Sequence, residues 1–332
     1  MTQSALVKVD DLSRTFDVSR PWLNRLIEGG EKEFLKAVRN VSFLIEKGET
    51  FALVGESGSG KSTVAKMVVG LLPTSGGNIV IDGVNMVDPS QKAQVRALRR
   101  RIQMIFQDPY ASLNPRWRVD RIIAEPIRAF EPLVPQRDVD ARVGELLKLV
   151  GLDPRDGRKF PHEFSGGQRQ RICIARALAS KPEFIVCDEP TSALDVSVQA
   201  QILNLMRDLQ DEFSLTYLFI SHDLAVVRHM ATRIGVMYLG SLVEVAKPDD
   251  LFNTPQHPYT RMLLDAIPDL DMTGRERDAV KGEIPNPIHP PTGCAFHPRC
   301  PFAYDRCRSE KPELKAGGNA RVACHAVEDR RL

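Results

Sequence analysis

The chain has 332 residues, 42% of them hydrophobic, enough to bury a full core in two domains or in one large domain with an appendage. Lys and Arg total 45 against 43 Asp and Glu, so the net charge of +2 gives no broad polyanion-binding face and argues against nucleic acid as a partner. No stretch approaches the ~20 apolar residues of a membrane span, and Met1-Thr2-Gln3-Ser4 opens without a charged-then-apolar leader. The expected location is the cytosol, with membrane contact borrowed from a partner.

In chain order, residues 6–18 and 41–54 carry strand-like patterns around an insertion, 19–34, whose mixed charges and Trp22 read as a solvated loop. Glu46-Lys47-Gly48-Glu49 turns the chain into Phe51-Ala52-Leu53-Val54, an apolar run with the character of a buried strand. A glycine-rich turn follows, and residues 64–69 read as a helix. Gly76-Gly77 introduces a further strand at 78–84 with Asp82-Gly83 as a hairpin signal. From about 91 to 180 the strand pattern largely lapses. Val143, Leu146, Leu147 and Val150 have helical spacing, and a second helix at 168–179 ends before Lys181-Pro182, so a helical subdomain interrupts an α/β core. Apolar strands return at 184–187, 216–220 and 234–238, with a helix at 198–209, as a covered and mostly parallel sheet requires. From Pro248 onward proline, cysteine and histidine dominate, which suggests a separate appendage.

The turn Gly55-Glu56-Ser57-Gly58-Ser59-Gly60-Lys61-Ser62-Thr63 has the spacing of a phosphate-binding loop in strand-to-helix context. Its glycines let backbone N–H groups converge on phosphate oxygens at the positive end of a helix dipole. Lys61 then reaches the β- and γ-phosphates, Ser62 places its hydroxyl on Mg²⁺, and Thr63 faces the α-phosphate. The strand Phe184-Ile185-Val186-Cys187 ends in Asp188-Glu189, two carboxylates at the carboxyl edge of the sheet where the loop also lies. Asp188 suits support of Mg²⁺ through water, and Glu189 suits a general base acting on the attacking water.

Those motifs, taken with Phe164-Ser165-Gly166-Gly167-Gln168, resemble the ATPase subunits of ABC transporters. The resemblance implies a P-loop NTPase of the α/β class: a RecA-like core sheet, an N-terminal antiparallel β subdomain, a helical signature subdomain at about 108–180 and a small Cys-rich C-terminal extension. The nucleotide-binding domain is expected at 5–250 and the extension at 251–332. Gln107, in Ile105-Phe106-Gln107-Asp108-Pro109, becomes a metal and water sensor. Ser165, Gly166, Gly167 and Gln168 serve the γ-phosphate of ATP bound to another subunit, Asp195 in Ser192-Ala193-Leu194-Asp195 belongs to a dimer interface, and His222 in Ser221-His222-Asp223 contacts the γ-phosphate and catalytic water. Phe16 falls where the family stacks an aromatic ring on adenine, beside Gly55, Ser57, Gly58, Ser59, Gly60, Lys61, Ser62 and Thr63.

Gln107-Asp108-Pro109-Tyr110-Ala111-Ser112-Leu113-Asn114-Pro115-Arg116, the run Ala193 through Gln201, and His257-Pro258-Tyr259-Thr260 narrow the resemblance to oligopeptide and dipeptide import ATPases. Phe164-Ser165-Gly166-Gly167-Gln168-Arg169-Gln170-Arg171 favours the second, F-type, ATPase of that system. The implied assembly joins this chain to a homologous D-type ATPase, two membrane permeases and an extracytoplasmic substrate-binding protein, at the cytoplasmic face of the membrane. Relatives carry dipeptides, oligopeptides, nickel chelates, haem, glutathione or opine-like compounds. ABC-type clamps acting on DNA or ribosomes, and phosphate-loop kinases, are the competing classes; the former bear coiled-coil insertions or paired ATPase domains, and the latter have no use for the signature, Asp195 or His222.

Four of six cysteines, Cys294, Cys300, Cys307 and Cys324, crowd the last 39 residues. Disulfides are disfavoured in a reducing cytosol, so thiols gathered from a proline-rich tail suggest a metal. Gaps of five, six and sixteen residues lack the short knuckle of a zinc ribbon. A [4Fe–4S] cluster accepts four thiolates at such spacing, and the peptide-import resemblance is also associated with a cluster there. Zinc, with His297 or His325 as a substitute ligand, and unmetallated thiols are the alternatives. The metal's expected role is to pin a tail with little core of its own. Cys173 and Cys187 read as small buried hydrophobes.

Overall fold

The computed structural model describes residues 5–20, 31–266 and 282–332; the centre of the expected insertion, including Trp22, lies outside them. Strands β1 (Ala5–Asp17), β2 (Phe34–Glu46), β4 (Gly76–Ile81) and β5 (Val84–Asn85) form an antiparallel sheet in the order β2-β1-β4-β5. The strand expected at 78–84 is thus a hairpin: Asp82 and Gly83 take positive φ of +48° and +78°, and Val84 begins the returning strand.

Among the described residues the second sheet has eight strands. Its parallel centre is β3 (Thr50–Val54), β6 (Ile102–Ile105), β7 (Phe184–Asp188), β8 (Thr216–Ile220) and β9 (Arg233–Tyr238). Every residue of β3, β7 and β8 is buried, which explains their continuous apolar runs. Alternation survives as a choice between two cores. Ala52, Val54, Ile185, Cys187, Tyr217 and Phe219 face one, with the helical subdomain; Phe51, Leu53, Phe184, Val186, Leu218 and Ile220 face the other, toward the antiparallel sheet. The helical subdomain contains helices Val119–Phe130, Gln136–Leu149 and Gly166–Leu178, and Val143, Leu147 and Val150 are buried as their spacing requires. Among the described residues no helix is long and apolar enough to cross a membrane.

The segment beyond Pro248 packs onto the main sheet and extends it. After β10 (Ser241–Ala246), strand β12 (Ala320–Val322) pairs Glu244 with Val322, and β11 (Lys315–Gly317) pairs with β12, so the main sheet runs β11-β12-β10-β9-β3-β8-β7-β6. Phe296, Ala320 and Val322 share one core cluster with Ala52 of β3. The tail's few apolar residues therefore suffice, because they bury against the sheet and need no core of their own.

Candidate nucleotide site

Four parallel strands end at one edge of the sheet, and each delivers a piece of the site: β3 the glycine turn, β6 Gln107, β7 Asp188 and Glu189, β8 His222. The turn leads into helix Lys61–Val68, whose N-cap, Gly60, has φ +102°. A Cβ on Gly60 would collide with the Ala37 carbonyl oxygen, and one on Gly55 with that of Met237, so only glycine fits at either place. The Lys61 ammonium is buried and donates to the carbonyls of Gly55 (2.8 Å) and Glu56 (3.0 Å). Burial lowers its pKa, opposed by the charges of Glu189, Asp188 and Glu56.

Ser62 Oγ donates to Asp188 Oδ1 at 2.8 Å. Burial pushes the Asp188 carboxyl up, against the Ser62 hydrogen bond and the nearby lysines. These two oxygens have the hard-donor chemistry of a Mg²⁺ site, which the cation's usual waters and a phosphate would complete. Glu189 sits just past β7 at φ +47°, its amide bonded to the Ile220 carbonyl at 3.0 Å. That strained turn aims its carboxylate between two neighbours: Gln107 Nε2 donates to Oε2 at 2.9 Å, and His222 Nδ1 lies 3.1 Å from Oε1. Both neighbours are set by helix caps. Asp108 accepts from the amides of Tyr110 (2.8 Å) and Ala111 (3.1 Å) directly after Gln107. Asp223 does the same for Ala225 at 2.8 Å directly after His222.

Lys61, Ser62, Gln107 and Glu189 open on a cleft of about 410 Å³ that Phe16, Ser57, Gly58, Gly60 and Thr63 also line, with Leu239, Gly240 and Pro287; Asp188 and His222 stand behind them. Phe16 is half-buried at its mouth with the Arg14 guanidinium 4.6 Å above the ring. Ser165, Gly166, Gly167 and Gln168 do not line it. Ser165 N-caps helix Gly166–Leu178 in a capping box: its Oγ accepts from Gln168 N (3.3 Å) and Gln168 Oε1 accepts from Ser165 N (3.0 Å). Ser165, Gly166 and Gln168 are exposed, while buried Gly167 presses on Val198. Asp195 caps helix Val196–Phe213, accepting from Val198 N at 3.0 Å, and these N–H dipoles hold its carboxyl below the usual range.

The family model described as ABC transporter matches residues 38–192, and that of the oligopeptide/dipeptide transporter C-terminal region matches 243–307. The chain is 48% identical over 320 residues to the di/tripeptide transport ATP-binding protein DppF of Pseudomonas aeruginosa, covering 96% of each. It is 47% identical over 327 residues to the oligopeptide transport ATP-binding protein AppF of Bacillus subtilis, covering 97% of this chain and 98% of that one. A dimeric ATP-binding cassette solved in a post-hydrolysis state with ADP and Pi superposes with a TM-score of 0.63 at 29% identity, over 73% of this chain and 98% of that one. The chain belongs to the oligopeptide/dipeptide branch of the ABC transporter ATP-binding family. It is an ABC ATPase, with ATP and Mg²⁺ as the substrate and cofactor that the family implies.

In this ABC ATPase the four tail thiols are neighbours without forming a closed metal site. Cys294 N donates to the Cys307 carbonyl at 2.9 Å, and Cys300, Cys307 and Cys324 lie close enough to the Cys294 thiol to add to the rise in its pKa. Burial is the main effect, pushing Cys294 up to about 12 and Cys300 up to about 11. Among the described residues, however, no group of three or more His, Cys, Asp or Glu is arranged to hold a metal ion. As they stand Cys294, Cys300 and Cys324 pack against the main core and Cys307 is buried, so the cluster expected from the sequence is not met by the structure. His297 Nδ1 lies 3.0 Å from the Cys294 carbonyl and His325 Nε2 lies 3.0 Å from that of Glu310.

Sequence reasoning missed the tail's reach to the phosphate loop. The Tyr259 hydroxyl accepts from Glu56 N at 3.0 Å, and the Arg299 guanidinium grips the Glu56 carboxylate. The one available signal was an arginine set in an apolar, cysteine-bearing segment.

Proposed function

We propose that this chain hydrolyses ATP to drive uptake of peptides, as a peripheral subunit at the cytoplasmic face of a membrane importer. The observation that carries the reading is the convergence of Lys61, Ser62, Gln107, Asp188, Glu189 and His222 at one sheet edge, in a chain that also bears the peptide-transporter C-terminal region. In this reading Lys61 exchanges its bonds to the Gly55 and Glu56 carbonyls for β- and γ-phosphate oxygens, while the amides of Gly58 to Thr63 and the Phe16 ring hold the rest of the nucleotide. Ser62, Gln107 and Asp188 would hold Mg²⁺, which when bound would neutralise charge on the phosphates. Glu189, oriented by Gln107 and His222, takes the proton of the attacking water, and His222 steadies the γ-phosphate.

Ser165, Gly166, Gly167 and Gln168, which lie away from the cleft with all but Gly167 exposed, complete the ATP site of a second, homologous D-type ATPase, with Asp195 at the junction. Two permeases and an extracytoplasmic binding protein complete the assembly. The similarity to oligopeptide and di/tripeptide transport ATP-binding proteins supports peptides as cargo. The finer reading of the tail, a [4Fe–4S] cluster on Cys294, Cys300, Cys307 and Cys324, rests on the donor set alone: about four irons per chain with matching sulfide would support it, and their absence leaves the thiols as packing groups.

The transport reading is tested by ATP-dependent uptake of a labelled peptide into vesicles bearing the reconstituted assembly. Replacing Ser165 on this chain only should impair hydrolysis at the partner's nucleotide more than at its own. Loss confined to its own site would overturn the shared-site reading, and uptake unchanged by omitting ATP would overturn coupling.

A further inference from the structure

Glu56 is the one acidic residue of the phosphate loop, and none of the steps above employs its carboxylate. Arg299, from the turn between Cys294 and Cys300, meets it with a two-pronged pair, Nη1 to Oε2 at 2.8 Å and Nη2 to Oε1 at 3.0 Å. The Arg299 side chain is only 2% exposed and lies over Tyr238 and Phe296. The Glu56 amide donates to the Tyr259 hydroxyl at 3.0 Å, and the Tyr259 ring packs on Tyr238 at 4.6 Å. Backbone and side chain of Glu56 are therefore both held by residues from the sequence beyond 258.

This construction is costly unless it serves the loop. Burying a guanidinium requires a partner, and a free carboxylate on a loop that receives a polyphosphate would repel it. The pair answers both needs: both terminal nitrogens of the guanidinium meet the carboxylate, leaving only Nε without a partner among the described residues, and the loop's negative charge is screened.

We propose that Arg299, supported by Tyr259, is a positioning residue of the ATP site, through which the C-terminal extension clamps Glu56 and masks its charge from the incoming triphosphate. The inference rests on the reading of residues 55–63 as the ATP loop. Its stated consequence is one of affinity: a carboxylate left unscreened near the phosphates weakens binding by roughly tenfold, about 1.4 kcal/mol, with turnover at saturation little changed.

The test measures binding of a fluorescent ATP analogue with Mg²⁺, and KM and kcat for ATP, in the purified transporter assembly. Arg299→Met should raise the Kd and KM for nucleotide by about tenfold while kcat stays within about twofold. Adding Glu56→Gln to Arg299→Met should restore most of the lost affinity, which a purely structural role would not predict. Unchanged affinity in Arg299→Met, or a loss that Glu56→Gln does not recover, overturns the proposal. Should Arg299→Met not fold, Tyr259→Phe removes only the hydroxyl; it should weaken binding by about threefold, and native affinity there overturns the clamp. If the native assembly binds no nucleotide, or Lys61→Ala leaves binding intact, the phosphate-loop reading fails instead.

Discussion

Gly60→Ala probes the phosphate loop where two separate costs fall on one atom. Gly60 has φ +102°, where an L side chain carries a backbone penalty of about 1–2 kcal/mol. Its new Cβ would also meet the Ala37 carbonyl oxygen well inside contact distance, with Met237 Cε at 3.4 Å and the Gly240 Cα at 3.5 Å closing the other sides. The carbonyl belongs to β2 and cannot rotate away as a flexible side chain would, so overpacking adds about 1–3 kcal/mol. The sum, about 2–5 kcal/mol, corresponds to a fall of roughly 4–10 °C in melting temperature at about 2 °C per kcal/mol for a large chain. Gly58→Ala supplies the internal control: its φ is +77°, but nothing lies within 4 Å of the added Cβ. Only the backbone penalty applies there, and the expected loss is about 1–2 kcal/mol. Melting followed by circular dichroism, with ATP binding measured alongside, compares the two. Equal melting temperatures for both variants would refute the assignment of the larger cost to the contact with β2.

Gly167→Ala should destabilise by about 1–3 kcal/mol, because its Cβ collides with Val198 Cγ1 on helix Val196–Phe213; thermal melting checks this, and Gly167→Ala with the added space of Val198→Ala should recover part of the loss. His257 is buried, and burial lowers its pKa from 6.5 to about 3. The unfolded chain binds its proton below pH 6.5 and the folded chain does not, so stability falls as pH drops through the window from 6.5 toward 3. Between pH 6.5 and 5 the native chain should lose about 2 kcal/mol more than His257→Asn, which keeps an acceptor for the Tyr259 amide but does not titrate; parallel urea titrations at both pH values decide it. Cys187 is fully buried and burial raises its pKa, so iodoacetamide should leave it unmodified in the native chain and label it in urea, as peptide mass mapping would read.

What could be read from the sequence was local. The phosphate loop, the strand ending in Asp188-Glu189 and the His222 turn are each contiguous, and their chemistry requires fixed residue types at fixed spacing. The parallel sheet then brings them together for a simple reason: parallel strands share one carboxyl edge. The helices around 141–150 and 168–179 announced themselves by periodicity, although their first turns, from Gln136 and Gly166, lay in polar sequence that periodicity does not mark. The tail was illegible for the opposite reason. Strand β12 is three residues long, too short for a pattern, and it exists because the edge of β10 offers it a ladder. The Arg299 to Glu56 pair spans 243 residues, and nothing near either residue points to the other.

The measurement that bears most directly on the account is ATP turnover and ATP binding by Glu189→Gln in the assembled transporter. The substitution preserves shape but removes the carboxylate that Gln107 and His222 orient. The account predicts retained nucleotide binding with hydrolysis slowed by roughly a hundredfold or more, the scale of a lost general base. Turnover near the native rate would contradict it and would remove Glu189 from the centre of the site.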